Sequence, residues 1–481
     1  MNSGTSRSSP WTSILIVSGA FLCGLSTGLV LPRIGRLRRR RRSSSISKKP
    51  TDDPQNTHVV RAGAGTGIRV DKERLTVFLT DILEAAGCKP RRHAELVAKG
   101  LVFADLRGIP SHGTNRCDAY VNEIAAGLVN GDNVIPSIIQ KDGCCATIDG
   151  KNGLGAVTSQ FAMTVALELA KEFGCAVVTC RNSNHYGCAG YWAQMALEQN
   201  CIGLSFTNTS PIAVPTRGKK RAIGTNPISF FAPAVAPQKN TQPVVGDKPL
   251  LRDSFQLDMA TTVVPIGKVE VMHRIGKSVP RGWGLNRFGE DDCTDASEIV
   301  KHGGLYPLGG SEITAGYKGY GLGVMVEILC SILSGADIAS GVGPNISAWT
   351  LQRKGPVGYS HCFIVIDPSR FAKGSKADDG SFQERLGQYL ALLRQQESAG
   401  TEKDALSKSV LVAGDPEKEY EKDASTNGGV LLHEPVAVTL KALAARIKLP
   451  ANRIPRELLQ LKDQRDGLTG TTTHVRRSLY E

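Results

Sequence analysis

No G-x-G-x-x-G fingerprint follows any apolar run of this chain. Such glycines let a backbone press against a pyrophosphate, and neither Gly150, Gly153 and Gly155 nor Gly319, Gly321 and Gly323 have that spacing. An ordinary doubly wound dinucleotide fold is therefore disfavoured. The 12 cysteines include no C-x-x-C pair, and Cys175, Cys180, Cys201, Cys330 and Cys362 sit inside apolar runs, which reads as buried thiols in a reducing compartment rather than a disulfide framework. The 9 histidines have no His or Cys partner at zinc-site spacing, so no metal is expected. Beyond residue 50 a charge surplus is lacking too. The first 50 residues hold ten of the 58 basic side chains and none of the 45 acidic ones, so the net charge of +13 is mostly N-terminal and gives no reason to expect nucleic-acid binding. No internal repeat is apparent.

The 481 residues leave ample room for a core, in one large domain or two ordinary ones. Thr12 to Leu31 is uncharged, mostly apolar and about the ~20 residues that cross a bilayer, and Arg33, Arg36 and Arg38 to Arg42 follow it. A cleaved secretory signal carries its positive charge before the apolar run, so an uncleaved transmembrane anchor is the favoured reading, with everything after Arg33 in the cytoplasm. The acid-free Arg/Ser composition leaves a mitochondrial presequence as the alternative. Residues 43–66 read as a flexible linker, 67–450 as the globular part and 451–481 as a polar tail.

In the globular part Leu75, Phe78, Leu79, Ile82, Leu83 and Ala86 recur at helical spacing up to Gly87. A second helix, 91–106, is stopped by Pro110, and a third is expected over 114–128. A long helix over 153–173, a strand over 175–181, a helix over 189–199 and a strand over 202–208 give β-α-β alternation and an α/β class. Residues 235–252 read as a surface insertion and 400–408 as a polar loop. Further on, 318–333 is expected as a buried helix, 361–367 as a strand, 381–396 as an amphipathic helix, and Val436, Leu440, Leu443 and Ile447 mark a last one.

Polar side chains gather at the ends of the buried strands: Asn182, Asn184 and His185 after the first, Asn208 and Thr209 after the second, then Thr225 and Asn226. Buried polar groups must be satisfied, and where such ends converge they usually serve a ligand. NSNHYG, TNTSP and GTNP, with the upstream SHGTNR (Ser111 to Arg116), the downstream LDMATT (Leu257 to Thr262), then GWG, PLGG, YKGYGL and VLVAGDPE, occur in the order of the malate/L-lactate dehydrogenase family. The chain resembles that family, which includes ureidoglycolate and sulfolactate dehydrogenases, from roughly Gly67 to Leu449.

The resemblance implies a non-Rossmann nicotinamide-binding fold, with residues of about 146–330 toward the cofactor and 67–145 with 331–450 toward substrate and dimerisation. It also implies a homodimer, NAD or NADP as cofactor, and hydride transfer to or from a small 2-hydroxy or 2-keto acid. Reduction of a cyclic imine acid, or a catalytically silent membrane-tethered scaffold, are the alternatives. Oxidising a 2-hydroxy acid needs a base, for which His112 and His185 are the candidates with His112 favoured, and a carboxylate clamp, for which Arg116 with Tyr120 is suited. Ser111, His112 and Asp258 would form a relay. His185, Tyr186, Gly187, Cys188, Ala189, Thr207, Asn208, Thr209, Asp258, Met259 and Ala260 would line the cofactor, and Lys318 with Gly319, at a helix start, would receive its phosphates. Pro110, Arg217 to Lys219 and Tyr317 depart from the family pattern, the first bearing on substrate choice and the others on cofactor contacts.

Overall fold

The computed structural model describes residues 67–237, 252–274, 276–291, 293–336, 355–371, 380–398 and 409–461. The apolar segment 12–31, the linker 43–66, most of the insertion 235–252, the loop 400–408 and the tail after Leu461 lie outside them. Among the described residues no helix is long and apolar enough to cross a membrane.

Strand β1 (Gly67–Val70) leads into α1 (Lys72–Ala85), whose first turn is capped by the Asp71 side chain accepting from Arg74 N at 3.0 Å. Leu75, Phe78, Leu79, Ile82 and Leu83 are all buried, so the predicted stripe is the core face. Helix α2 (Arg91–Leu106) packs on α1, and two 3-10 turns, Pro110–His112 and Thr114–Arg116, precede α3 (Cys117–Ala125). The third predicted helix is therefore shorter and opens with a tighter turn.

Next come β2 (Ser137–Asp142), β3 (Cys145–Asp149), α4 (Gly155–Phe173), β4 (Cys175–Ser183), α5 (Ala189–Glu198), β5 (Ile202–Thr207), β6 (Ile228–Val235) and β7 (Arg252–Met259). Twelve of the 19 residues of α4 are buried, whereas Phe173 at its end is 48% exposed. Beyond β7 lie α6 (Ile266–Arg274), the short ribbon β8 (Gly284–Leu285) and β9 (Gly304–Leu305) around α7 (Ala296–Lys301), and α8 (Gly316–Glu327). Strand β10 (Tyr359–Ile366), α9 (Phe382–Arg394), α10 (Asp415–Thr426), β11 (Val430–His433), α11 (Glu434–Arg446) and the short α12 (Arg456–Leu459) complete the order, with α9 opened by a Ser381 and Glu384 capping box and β11 paired to β1.

The seven-stranded sheet runs β2-β3-β4-β10-β5-β6-β7. Only β3 and β4 pair in parallel; every other neighbouring pair is antiparallel. Strands β4 and β5 share a direction, yet β10 lies between them, so the α5 crossover skips one strand and both strands end on the same side of the sheet. This arrangement is α/β without the doubly wound parallel order, as the missing glycine fingerprint implied.

One expectation fails in part. The segment 318–333 was expected as a buried helix, but α8 passes into a π-turn over Ile328–Ile332, and while Val326 and Cys330 are buried, Met325, Ile328, Ile332 and Leu333 are exposed. Hydropathy records that a side chain is apolar; it does not record whether a neighbour covers it.

Candidate active site

The SHG segment sits in the 3-10 turn after α2. The Asp105 carboxylate accepts from Thr114 N at 2.8 Å and lies so close to Gly113 that any side chain there would run into it. This contact folds Ser111 and His112 back toward α3. Arg116 Nε donates to Ser111 O at 2.6 Å, and Tyr120 stands one turn further along, so hydroxyl, imidazole, guanidinium and phenol converge as their spacing implied.

The end of β4 supplies the opposite wall. The rings of His112 and His185 stack with centroids 5.6 Å apart at 18°. Tyr120 Oη lies 2.6 Å from His185 Nδ1, and Gly187 N donates to the same nitrogen at 3.3 Å. Burial, with the Arg116 charge second, pushes the His112 imidazole down to about 3. Burial lowers His185 well below its ordinary value as well, followed by the charges of His112 and Arg116. Burial likewise raises the Tyr120 phenol, which stays protonated. The pair is thus two neutral imidazoles beside a cation.

The predicted relay is not made. Asp258 accepts from Gly190 N at 2.8 Å and from Cys188 Sγ at 3.1 Å, and has no hydrogen bond to Ser111 or His112. Register in β7 opposite Ser229 puts this carboxylate over the first turn of α5, where free N–H groups draw it. His112 is oriented instead by Ser111, whose Oγ is 3.0 Å from Nδ1.

The cofactor-lining candidates divide. His185, Gly187, Thr209, Met259 and Ala260 keep partial exposure, whereas Tyr186, Cys188, Ala189, Thr207 and Asn208 are buried. Thr207 is held by Ser360 O and His361, and Asn208 Oδ1 accepts from Ser360 N at 2.8 Å, so these two build the wall from behind. Lys318 is exposed, but its N–H donates to Ala315 O at 2.9 Å and that of Gly316 to Ser311 O at 2.8 Å, so those two helix-start amides are already used. Gly319 packs on the Leu308 backbone. Of the departures from the family pattern, Pro110 opens the SHG turn, Arg217 forms an exposed ion pair with Glu312, and Tyr317 is 52% exposed.

Three residues were not legible beforehand. Asp105 shapes the SHG turn, Glu327 lies under the Asn208 and Asn226 loops, and His361 is buried where Ser183 Oγ (2.7 Å) and Thr207 Oγ1 (2.8 Å) meet its two nitrogens and Tyr186 stacks on it at 4.7 Å. Each is a single polar residue inside a regular element, with no periodic or motif signal.

A nicotinamide group fits one feature of this site. Gly187 has φ +84°, and nothing lies within 4 Å of where a Cβ would stand, so open space adjoins His185 at the mouth of α5. Among the described residues no group of three or more His, Cys, Asp or Glu side chains is placed to hold a metal ion.

Comparison with known proteins agrees with this architecture. The profile described as malate/L-lactate dehydrogenase matches residues 70–441. The malate dehydrogenase of Pyrococcus horikoshii is 43% identical over 324 residues, 67% of this chain and 81% of that protein. An L-sulfolactate dehydrogenase of Methanocaldococcus jannaschii is 34% identical over 61% of this chain and 76% of its own, and the NAD(+) ureidoglycolate dehydrogenase of Escherichia coli K12 is 33% identical over 67% and 82%. Among solved structures, malate dehydrogenase from Entamoeba histolytica superposes with a TM-score of 0.68 at 29% identity, covering 80% of this chain and 99% of that one. The chain belongs to the malate/L-lactate dehydrogenase family and is an NAD(P)-dependent dehydrogenase of hydroxy acids.

Proposed function

We propose that this enzyme oxidises a small 2-hydroxy acid of the malate or lactate kind, with His112 as base, His185 as hydrogen-bond donor and Arg116 as carboxylate clamp. The observation that carries this reading is the pair of donors, Tyr120 O–H and Gly187 N–H, on His185 Nδ1. A ring nitrogen that accepts is unprotonated, so the neutral His185 ring carries its proton on Nε2 and offers it to a substrate oxygen. For His112 the Ser111 hydroxyl accepts a hydrogen bond from Nδ1–H, which leaves the Nε2 lone pair to act as base.

In the forward direction the substrate hydroxyl proton passes to His112 Nε2, the C2–H bond breaks and the C–O bond becomes a carbonyl, whose oxygen His185 Nε2–H holds. A nicotinamide held in the open space beside Gly187 and His185 would supply the hydride acceptor. Arg116, anchored through Nε on Ser111 O, is the cation that pairs with the carboxylate. Malate, sulfolactate and ureidoglycolate, named in the relatives, are all 2-hydroxy acids. The test is nicotinamide reduction with NAD or NADP on a panel of these acids and lactate. At least one acid should turn over, and His112→Ala should suppress it more than His185→Ala. No turnover with any of them sinks the proposal.

The segment 12–31 is proposed as an uncleaved anchor that keeps the catalytic part on the cytoplasmic side, on the strength of its length and the arginines after it. Homodimer formation is proposed as well, supported by the exposed apolar residues Met325, Ile328, Ile332 and Leu333. Light scattering at rising concentration tests it: a monomer throughout is the contrary result.

A further inference from the structure

We infer that Glu327 is the positioning residue that locks the two polar loops of the cofactor wall together, an inference that rests on the nicotinamide-binding reading of this site. Glu327 is the last residue of α8 and touches three side chains. Its Oε1 accepts from Asn208 Nδ2 at 3.1 Å and from Ser331 Oγ at 2.7 Å, and its Oε2 accepts from Asn226 Nδ2 at 3.1 Å. One carboxylate oxygen therefore serves the loop after β5 and the other serves the loop before β6.

The consequence follows from the shape of an amide. An asparagine side chain has a donor end and an acceptor end, so fixing the –NH2 end fixes where the oxygen points. With its donor end on Glu327 and on Ser331 Oγ (2.8 Å), whose hydroxyl itself donates to Glu327, Asn208 aims Oδ1 at Ser360 N (2.8 Å), which ties the loop to β10. With its donor end on the other carboxylate oxygen and on Gly323 O at 2.9 Å, Asn226 aims Oδ1 at Thr209 N (3.1 Å). Thr209 Oγ1 in turn accepts from Thr225 N at 2.9 Å. The loops are thus stitched to each other through Thr209, and the stitch is oriented from below by one carboxylate. Both asparagines are fully buried, so neither amide reaches a ligand; their part is to place Thr209, which does keep exposure. The same helix carries Lys318 and Gly319 near its other end.

A carboxylate is the one group that accepts from both amides. In Glu327→Gln one oxygen becomes an –NH2 that faces an asparagine –NH2, so that amide keeps only its second acceptor, Ser331 Oγ (2.8 Å) for Asn208 or Gly323 O (2.9 Å) for Asn226, and the carboxylate no longer joins the two loops. In Asn208→Asp two carboxylates face each other. Combining them restores complementarity, because the new amide donates to the new carboxylate while Ser360 N keeps its acceptor. The experiment compares both single variants with the double variant, reading KM for the nicotinamide cofactor, kcat, and hydrogen exchange of the 207–210 and 223–227 amides without any ligand. Each single variant should raise cofactor KM roughly ten-fold, the size of one charge-assisted hydrogen bond, with a smaller change in kcat, and should speed loop exchange. The double variant should recover most of both. A double variant no better than the worse single, or single variants with wild-type KM and exchange, overturns the inference. Should the wild type turn over no hydroxy acid while exchange follows the expected pattern, the anchoring stands and the functional reading falls.

Discussion

The pH dependence of substrate oxidation reports directly on the base. An imidazole at its ordinary pKa near 6.5 is only about one-tenth deprotonated at pH 5.5, so a base titrating there would lose most of its activity by that point. In this site burial, aided by the Arg116 guanidinium, holds His112 down to about 3. The sign is that of a depressed cation: the ring is neutral at all pH values above its folded pKa, so kcat/KM should stay level from about pH 8 to about pH 5 instead of bending near 6.5. Arg116→Gln removes the second cause of the depression and should bring the bend upward, toward but not reaching the ordinary value. His112→Ala should cost roughly 10²–10⁴ in kcat, the usual contribution of a positioned general base. The assay is the initial rate of nicotinamide reduction at saturating cofactor, with circular dichroism confirming that each variant is folded at each pH. A bend near 6.5 that persists in His112→Ala, with near-normal turnover, refutes both the assignment of the base and the account of its burial.

Three further outcomes are expected. His112 and His361 are each held down to about 3 and His185 is also depressed, all mainly by burial, so their neutral forms stabilise the fold above pH ~6.5; that stability is lost as pH falls toward the folded values, at about 1.4 kcal/mol per pH unit for each ring. Denaturant midpoints at pH 7 and 5 should differ accordingly, and equal midpoints contradict it. Arg116→Lys should raise KM for the acid substrate strongly, because a point charge replaces a planar fork; unchanged steady-state constants would remove Arg116 from the carboxylate site. Asp258→Asn should act independently of His112→Ala in a double-mutant cycle, since Asp258 binds Gly190 N and Cys188 rather than the catalytic ring, and non-additive losses in kcat would restore the relay.

Sequence by itself determined the local elements and the identity of the chemical groups. Helical spacing from Leu75 to Ala86 marked a buried face because 3.6-residue periodicity is a property of the chain alone, and the order of SHGTNR, NSNHYG, TNTSP and LDMATT marked the site because each motif sits at the end of an element. The absence of a glycine fingerprint likewise disfavoured the doubly wound sheet before any strand was paired.

Only the tertiary structure decided how those groups are shared out. Asp258 could not be told from a relay carboxylate by sequence, since its partner is fixed by the pairing of β7 with β6 and by where α5 begins. Asn208 and Asn226 read as ligand groups until Glu327, 119 and 101 residues away, was seen to take their amides. The insertion of β10 between β4 and β5, which creates the buried seat of His361, pairs segments that no local pattern connects. Hydrogen bonds of this kind are short-ranged in space and indifferent to separation along the chain, and for that reason the motifs named the actors while the sheet order assigned their partners.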